Sequence, residues 1–153
     1  RYYTMKSYNL SNTYWSLILP QIGLSIPFSI FWLRASFKAI PNSLSEAAMI
    51  EGADRLIILI KILLPQMIPA ILTLTVLLFM WTWNEFLLAL IMIQDAEMRT
   101  APLALSYFAG NKRYGDPAIT AAAAIWVALP VLIMYVFLQR RFISGMVTGA
   151  VKE

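Results

Sequence analysis

Three stretches of the chain are almost free of charged side chains, and polar segments with basic residues at their ends separate them. The first opens at Tyr14-Trp15 and runs to Leu33, about the length a helix needs to cross hydrocarbon, with an aromatic start and Arg34 as the far anchor. Pro20 and Pro27 interrupt it, and Gln21, Ser25 and Ser29 lie along it. A helix over 14–35 is therefore expected to bend and to pack in a bundle, where neighbours or hydroxyls satisfy the backbone groups the prolines free. The second stretch, 65–93, begins with Pro65 at a first-turn position, where a missing N–H costs nothing, and repeats proline at Pro69. The third, 117–139, carries the small-residue run Thr120 to Ala124, which permits close helix approach, and ends on Arg140-Arg141. The pattern predicts an all-α, polytopic transmembrane helical bundle with three spans.

The intervening segments read differently from one another. Residues 1–13 are polar and aromatic with no sustained apolar period, and are expected to be a loop outside the lipid. Residues 36–64 hold Ser43-Leu44-Ser45-Glu46, the S-x-x-E spacing of a capping box, in which Ser43 accepts from a free N–H and Glu46 reaches back to Ser43. This predicts a short helix over 44–51, with Ala47 and Ala48 as good helix formers and Gly52 in the left-handed position that closes it. A second short helix is expected near Asp54; its apolar run Leu56 to Ile60 is too short to span and should lie against the membrane face, making an elbow. Arg34, Lys38, Arg55 and Lys61 place this segment in the cytoplasm under the positive-inside tendency. By parity 94–116 is external, with one short helix around Leu103 to Phe108 after Thr100 as a cap, and 140–153 is a cytoplasmic tail. Gly145 and Gly149 stand at G-x-x-x-G spacing, but that tail is too short and polar to be a dimerising span.

Composition agrees with the pattern. Of 153 residues 60% are hydrophobic and 13% charged, and the mean hydropathy is +0.70. The net charge of +4 does not imply nucleic-acid binding, because the basic residues sit at segment ends rather than in one patch. With neither Cys nor His, thiolate nucleophiles, disulfides, ordinary zinc sites and histidine acid–base chemistry are excluded. No G-x-x-x-x-G-K-[ST] is present, so any ATP hydrolysis belongs to another chain. The chain opens on Arg1 with no leader before the first apolar stretch, and is expected to be a piece of a longer polypeptide.

One residue stands out chemically. Glu85, in Trp81-Thr82-Trp83-Asn84-Glu85-Phe86, is the only acidic side chain inside an expected span, roughly 13 Å from its outer end at 1.5 Å per residue. A charge there costs about 3 kcal/mol unless it faces protein or water. Two readings stand: Trp81, Asn84 and Glu85 line a substrate path, or they form a polar site that hydrogen-bonds within the bundle.

Glu46-Ala47-Ala48, Gly52-Ala53, Ile62 and Pro65 stand at the spacing E-A-A-x-x-x-G-A-x8-I-x2-P. This resembles the cytoplasmic EAA loop of permease subunits in binding-protein-dependent ABC importers, with Glu51 where the family often has Asp and Leu59 where it often has an aromatic residue. Trp83-Asn84-Glu85-Phe86 and Gln139-Arg140-Arg141-Phe142, followed by Gly145 and Gly149-Ala150-Val151-Lys152, are similar to the carbohydrate-uptake branch, the second subunits of maltose and glycerol-phosphate type. The resemblance implies the carboxy-terminal half of a six-helix subunit in a bacterial or archaeal plasma membrane. It implies partners: a second permease subunit, two ATP-binding subunits, an extracytoplasmic solute-binding protein and a carbohydrate, with ATP bound by the partner and no cofactor by this chain. Ser43, Glu46, Ala47, Ala48, Ile50, Glu51, Gly52 and Ala53 would then dock on the ATPase, and Gly149 and Lys152 of the tail would reach the same subunit. The competing function is a secondary transporter or channel with Glu85 as an intramembrane ion site, which needs no docking helix. An intramembrane enzyme is disfavoured, since Ser and Thr nucleophiles would have no His or Cys base and Glu85 alone as carboxylate.

Overall fold

A computed structural model describes the backbone of residues 2–110 and 116–150, and the side chains of 2–109 and 116–136. Among the described residues eight α-helices follow one another and there is no strand. They are α1 (Tyr2–Ser7), α2 (Trp15–Lys38), α3 (Asn42–Ile50), α4 (Arg55–Ile57), α5 (Leu64–Trp83), α6 (Leu87–Met92), α7 (Ala101–Gly110) and α8 (Pro117–Ala150), with a π-helical stretch Ile58–Leu63 joining α4 to α5 and a 3-10 turn Ala96–Met98 before α7. Among the described residues, three helices are long and apolar enough to cross a membrane: Trp15–Lys38, Arg55–Trp83 and, within α8, Pro117–Val136. The architecture is all-α and polytopic.

Several boundaries depart from the sequence expectation for physical reasons. The first thirteen residues are not featureless, since Tyr2–Ser7 is helical and the Ser7 hydroxyl donates to the Thr4 carbonyl. α2 is unbroken through Pro20 and Pro27 and continues to Lys38, past the expected end at 35; Pro41 ends it, because a residue before proline is pushed out of the α region. Helix α8 begins as expected at Pro117, with the Asp116 carboxylate accepting from Ala118 N–H at 2.9 Å, but its backbone stays helical to Ala150 rather than giving way to a tail at 140.

The second span is corrected most. No separate elbow helix precedes Pro65: α4, the π stretch and α5 form one continuous helix from Arg55 to Trp83. Pro65 is thus deep in a helix, where it can give no N–H to the Lys61 carbonyl and its ring crowds that carbonyl. The widened stretch relieves the conflict, with Leu64 N–H reaching back five residues to the Leu59 carbonyl. At its other end the expected helix over 65–93 is broken at Asn84, Glu85 and Phe86, and resumes as the short α6.

The chain forms two compact units, Arg1–Ser25 with Leu78–Phe137 and Ile26–Leu77 with Leu138–Glu153. In the first, Ser16, Ala89, Met92, Ile93 and Leu103 are buried; in the second, Ala48, Ile58, Met67, Leu74 and Val76. Each has an indole as an inter-helix tie: Trp83 Nε1 donates to the Val127 carbonyl in the first and Trp32 Nε1 to the Ala70 carbonyl in the second, both at 3.0 Å. Large apolar side chains such as Phe31, Ile125, Trp126 and Leu132 remain exposed, as expected of surfaces meant for lipid or further helices.

Candidate functional site

Two constellations were singled out by the sequence, and they fall in different units. In the second unit, α3 and the turn after it carry the E-A-A segment. Its start differs from expectation: the cap position is Pro41, at φ −61° and ψ 132°, and no side chain caps it. Ser43 therefore lies inside the first turn rather than at the cap, and no Ser43–Glu46 capping box forms. Proline, already fixed near the right φ and extended in ψ, launches the helix directly at Asn42.

The end of α3 is as expected. Gly52 has φ +81°, its N–H donates to the Met49 carbonyl at 3.0 Å, and Ala53 N–H donates to the Ala48 carbonyl at 3.0 Å. The paired five-to-two and six-to-one bonds make a Schellman closure, with glycine where a Cβ would be strained. Space around Gly52 is open, so the requirement is conformational rather than steric.

The α3 side chains sort by face. Ala48 is buried, and α3 packs on the π stretch, where Ile58 is buried too. About half a turn away, Ser43, Glu46 and Ile50 share one outward stripe at i, i+3 and i+7, with Ile50 88% exposed. Leu44, Ala47 and Met49 flank the stripe and are exposed as well. Glu51 follows at the C-cap, exposed, and Ala53 is half-buried. The helix thus presents one carboxylate and an isoleucine on an otherwise uncharged surface of small and apolar side chains. Sequence reasoning missed Pro41 as the launching residue and the outward placing of Leu44; the proline was visible, but the S-x-x-E spacing outweighed it.

In the first unit the break carries Asn84 and Glu85. Asn84 Nδ2 donates to the Met80 carbonyl at 2.8 Å, in the last turn of α5, and Glu85 Oε1 accepts from Leu88 N–H at 2.8 Å, in the first turn of α6. Gln21 Nε2 donates to Thr82 Oγ1 at 3.1 Å, and Trp83 stacks on Phe79 at 5.7 Å between centroids. Trp81 is half-exposed on the preceding turn and Glu85 half-buried. Asn84 and Glu85 are thus neighbours in the break, bonded in opposite directions to α5 and α6.

An unforeseen group lies at the other end of α6. Asn12, at φ +57°, donates its N–H to the Met92 carbonyl, its Oδ1 accepts from Gln94 and Asp95 N–H at 2.9 and 3.0 Å, and its Nδ2 donates to Asp95 Oδ2 at 3.1 Å. An asparagine in a polar segment that also holds Asn9 gave no signal of this. Nearby, Thr100 sits at the cap position of α7 as expected, yet its hydroxyl is buried without a partner, and the Arg99 guanidinium lies 3.8 Å over the Tyr107 ring. Of the tail residues, Gly149 is on the helical backbone of α8 and Lys152 lies outside the described residues.

Comparison with known proteins covers nearly the whole chain. Residues 5–146 match the family described as "Binding-protein-dependent transport system inner membrane component". The chain is 36% identical over 148 residues to the sulfoquinovosyl glycerol transport system permease protein SmoH of Agrobacterium fabrum, covering 97% of this chain and 52% of that protein. It is 34% identical over 148 residues to the trehalose transport system permease protein SugB of Mycobacterium tuberculosis (96% and 54%), and 35% identical over 141 residues to the trehalose/maltose transport system permease protein MalG of Thermococcus litoralis (92% and 51%). The chain spans about half the length of these curated relatives.

Proposed function

The chain belongs to the family of binding-protein-dependent transport system inner membrane components, and from that membership we propose that it forms part of the path by which an ATP-driven importer takes up a carbohydrate. It is a multi-pass membrane component and not an enzyme. ATP is bound and hydrolysed by a pair of partner subunits, a second permease subunit completes the path, and an extracytoplasmic binding protein delivers the sugar. Relatives named for trehalose, trehalose/maltose and sulfoquinovosyl glycerol support a carbohydrate substrate.

The observation that carries the coupling is α3. Its Schellman-closed end fixes it as a small rigid object, and the stripe of Ser43, Glu46 and Ile50, flanked by Ala47 and closed by Glu51-Gly52-Ala53, suits insertion into a cleft on the ATPase. Ala48 supports the helix from below by packing rather than by docking. On this reading α3 and the end of α8 with Gly149 face the cytoplasm of a bacterial or archaeal cell, and Lys152 is expected on the same side. Of the two readings of Trp81, Asn84 and Glu85, the hydrogen bonds of Asn84 and Glu85 support the polar site within the bundle. A Glu85 carboxylate engaged with a backbone N–H also speaks against the secondary transporter.

The test is sugar uptake into proteoliposomes holding the full-length subunit with its partners and ATP on the cytoplasmic side. Uptake is expected only with the complete set; uptake that persists without the ATPase, or follows an imposed ion gradient, would overturn the reading.

A further inference from the structure

A helix interrupted inside an apolar span leaves carbonyls at the end of the first piece and N–H groups at the start of the second, and hydrocarbon satisfies neither. Here two adjacent residues address the two ends with opposite chemistry. Asn84, which can donate, turns its side chain back to the Met80 carbonyl of α5, a second donor beside its own backbone N–H, which meets the same oxygen at 3.1 Å; Glu85, which as a carboxylate only accepts, turns forward to Leu88 N–H of α6. Each also matches the helix dipole it meets, a donor at the carbonyl end and an acceptor at the amide end.

The pieces on either side are anchored separately. The last turn of α5 is tied by Gln21 to Thr82 and by Trp83 to the Val127 carbonyl. The six residues of α6 are held at their far end by the Asn12 bonds to Met92, Gln94 and Asp95, and carry the buried Ala89 and Met92, the former fully inaccessible. With both pieces fixed by their surroundings, the break is a defined joint that Asn84 and Glu85 close from within.

We propose that Asn84 and Glu85 are back-to-back caps that hold this break in register, so that what position 85 requires is a hydrogen-bond acceptor on a long stem, not a negative charge. Glu85 is then a positioning residue, and neither an ion-carrying nor a sugar-binding group. Position 84 requires a donor. Charge has opposite consequences at the two sites: removing it from Glu85 is tolerated, because a glutamine carbonyl still accepts from Leu88, whereas adding it at Asn84 sets an acceptor against the Met80 carbonyl.

The experiment uses the full-length subunit assembled with its partners in nanodiscs, and reads amide hydrogen exchange of the 84–92 segment beside ATP-driven uptake. Glu85→Gln is expected to keep native exchange at Leu88 and at least about half the native uptake, while Glu85→Leu and Asn84→Asp speed exchange about tenfold and cut uptake to a similar degree, the scale of one lost hydrogen bond. Equal loss of uptake in Glu85→Gln and Glu85→Leu would overturn the proposal by showing that the charge itself is used. Unchanged Leu88 exchange in Glu85→Leu would overturn it by showing that no cap exists. Only the uptake arm rests on the importer reading; if the native assembly fails to transport, the exchange arm still decides whether the caps form.

Discussion

Glycine at 52 and glutamate at 46 lie six residues apart and answer to different physics. Gly52 holds φ +81° in open space, so a side chain there meets no neighbour but must adopt a backbone region that a β-branched residue resists. Gly52→Val is expected to destabilise the closure of α3 by about 1–3 kcal/mol and to lower both membrane levels and transport. Glu46 takes part in no cap and projects outward with Ile50, so Glu46→Gln should leave membrane levels and helix content unchanged while reducing uptake and coupled ATPase activity. Immunoblot of membrane fractions beside ATPase assay separates the two cases; native activity in Glu46→Gln would remove the docking charge from the account. The sequence already showed what Gly52 does, because one residue type dominates that conformation. It misassigned only the capping role of Glu46, because S-x-x-E spacing is equally compatible with a helix that starts two residues earlier.

At the scale of elements, the informative failures are the two ends of the second span. Hydropathy marks where apolar residues are, but not whether the backbone between them is continuous, and both errors were of continuity. Before Pro65 the expected elbow is a helix widened to a π stretch; after Trp83 the expected helix is a break. Pro65→Ala tests the cause of the first. Restoring an N–H at 65 lets the Lys61 carbonyl be met in ordinary α geometry, which should tighten Ile58–Leu63 and turn the preceding residues by about 100°, the angle one residue occupies in a helix. Ile58, now buried, would be carried out of its packing against α3. A cysteine at 58, protected in the otherwise native protein, should react several-fold faster with a membrane-permeant thiol reagent when Pro65→Ala is added. Equal reactivity would show that the widened stretch has another cause.

Over the whole molecule, fold class, three spans and family were legible because they rest on length, hydropathy and a spaced motif, all properties of the linear chain. The joint at 84–86 and the Asn12 bonds were not, since both depend on which partner a polar side chain finds after folding. The sidedness that the basic residues predict is open to a direct test, because the chain contains no cysteine. In the full-length protein with other cysteines removed, Lys6→Cys should react with an impermeant maleimide added to intact cells, and Arg55→Cys only after the membrane is opened. Both positions are exposed, so failure to react reports sidedness rather than burial. The reverse pattern would invert the topology and leave α3 on the wrong side for an ATPase.

The widened stretch before Pro65 also bears on descent. A ring closed over five residues holds one more than the ordinary turn, so Ile58–Leu63 accommodates a supernumerary residue without shifting the faces presented on either side. A lineage in which another residue replaced this proline would be free to lose one position there, and a lineage that kept the proline would not. Single-residue gaps in this family are therefore expected to cluster between 58 and 63 and to appear together with substitution of the proline.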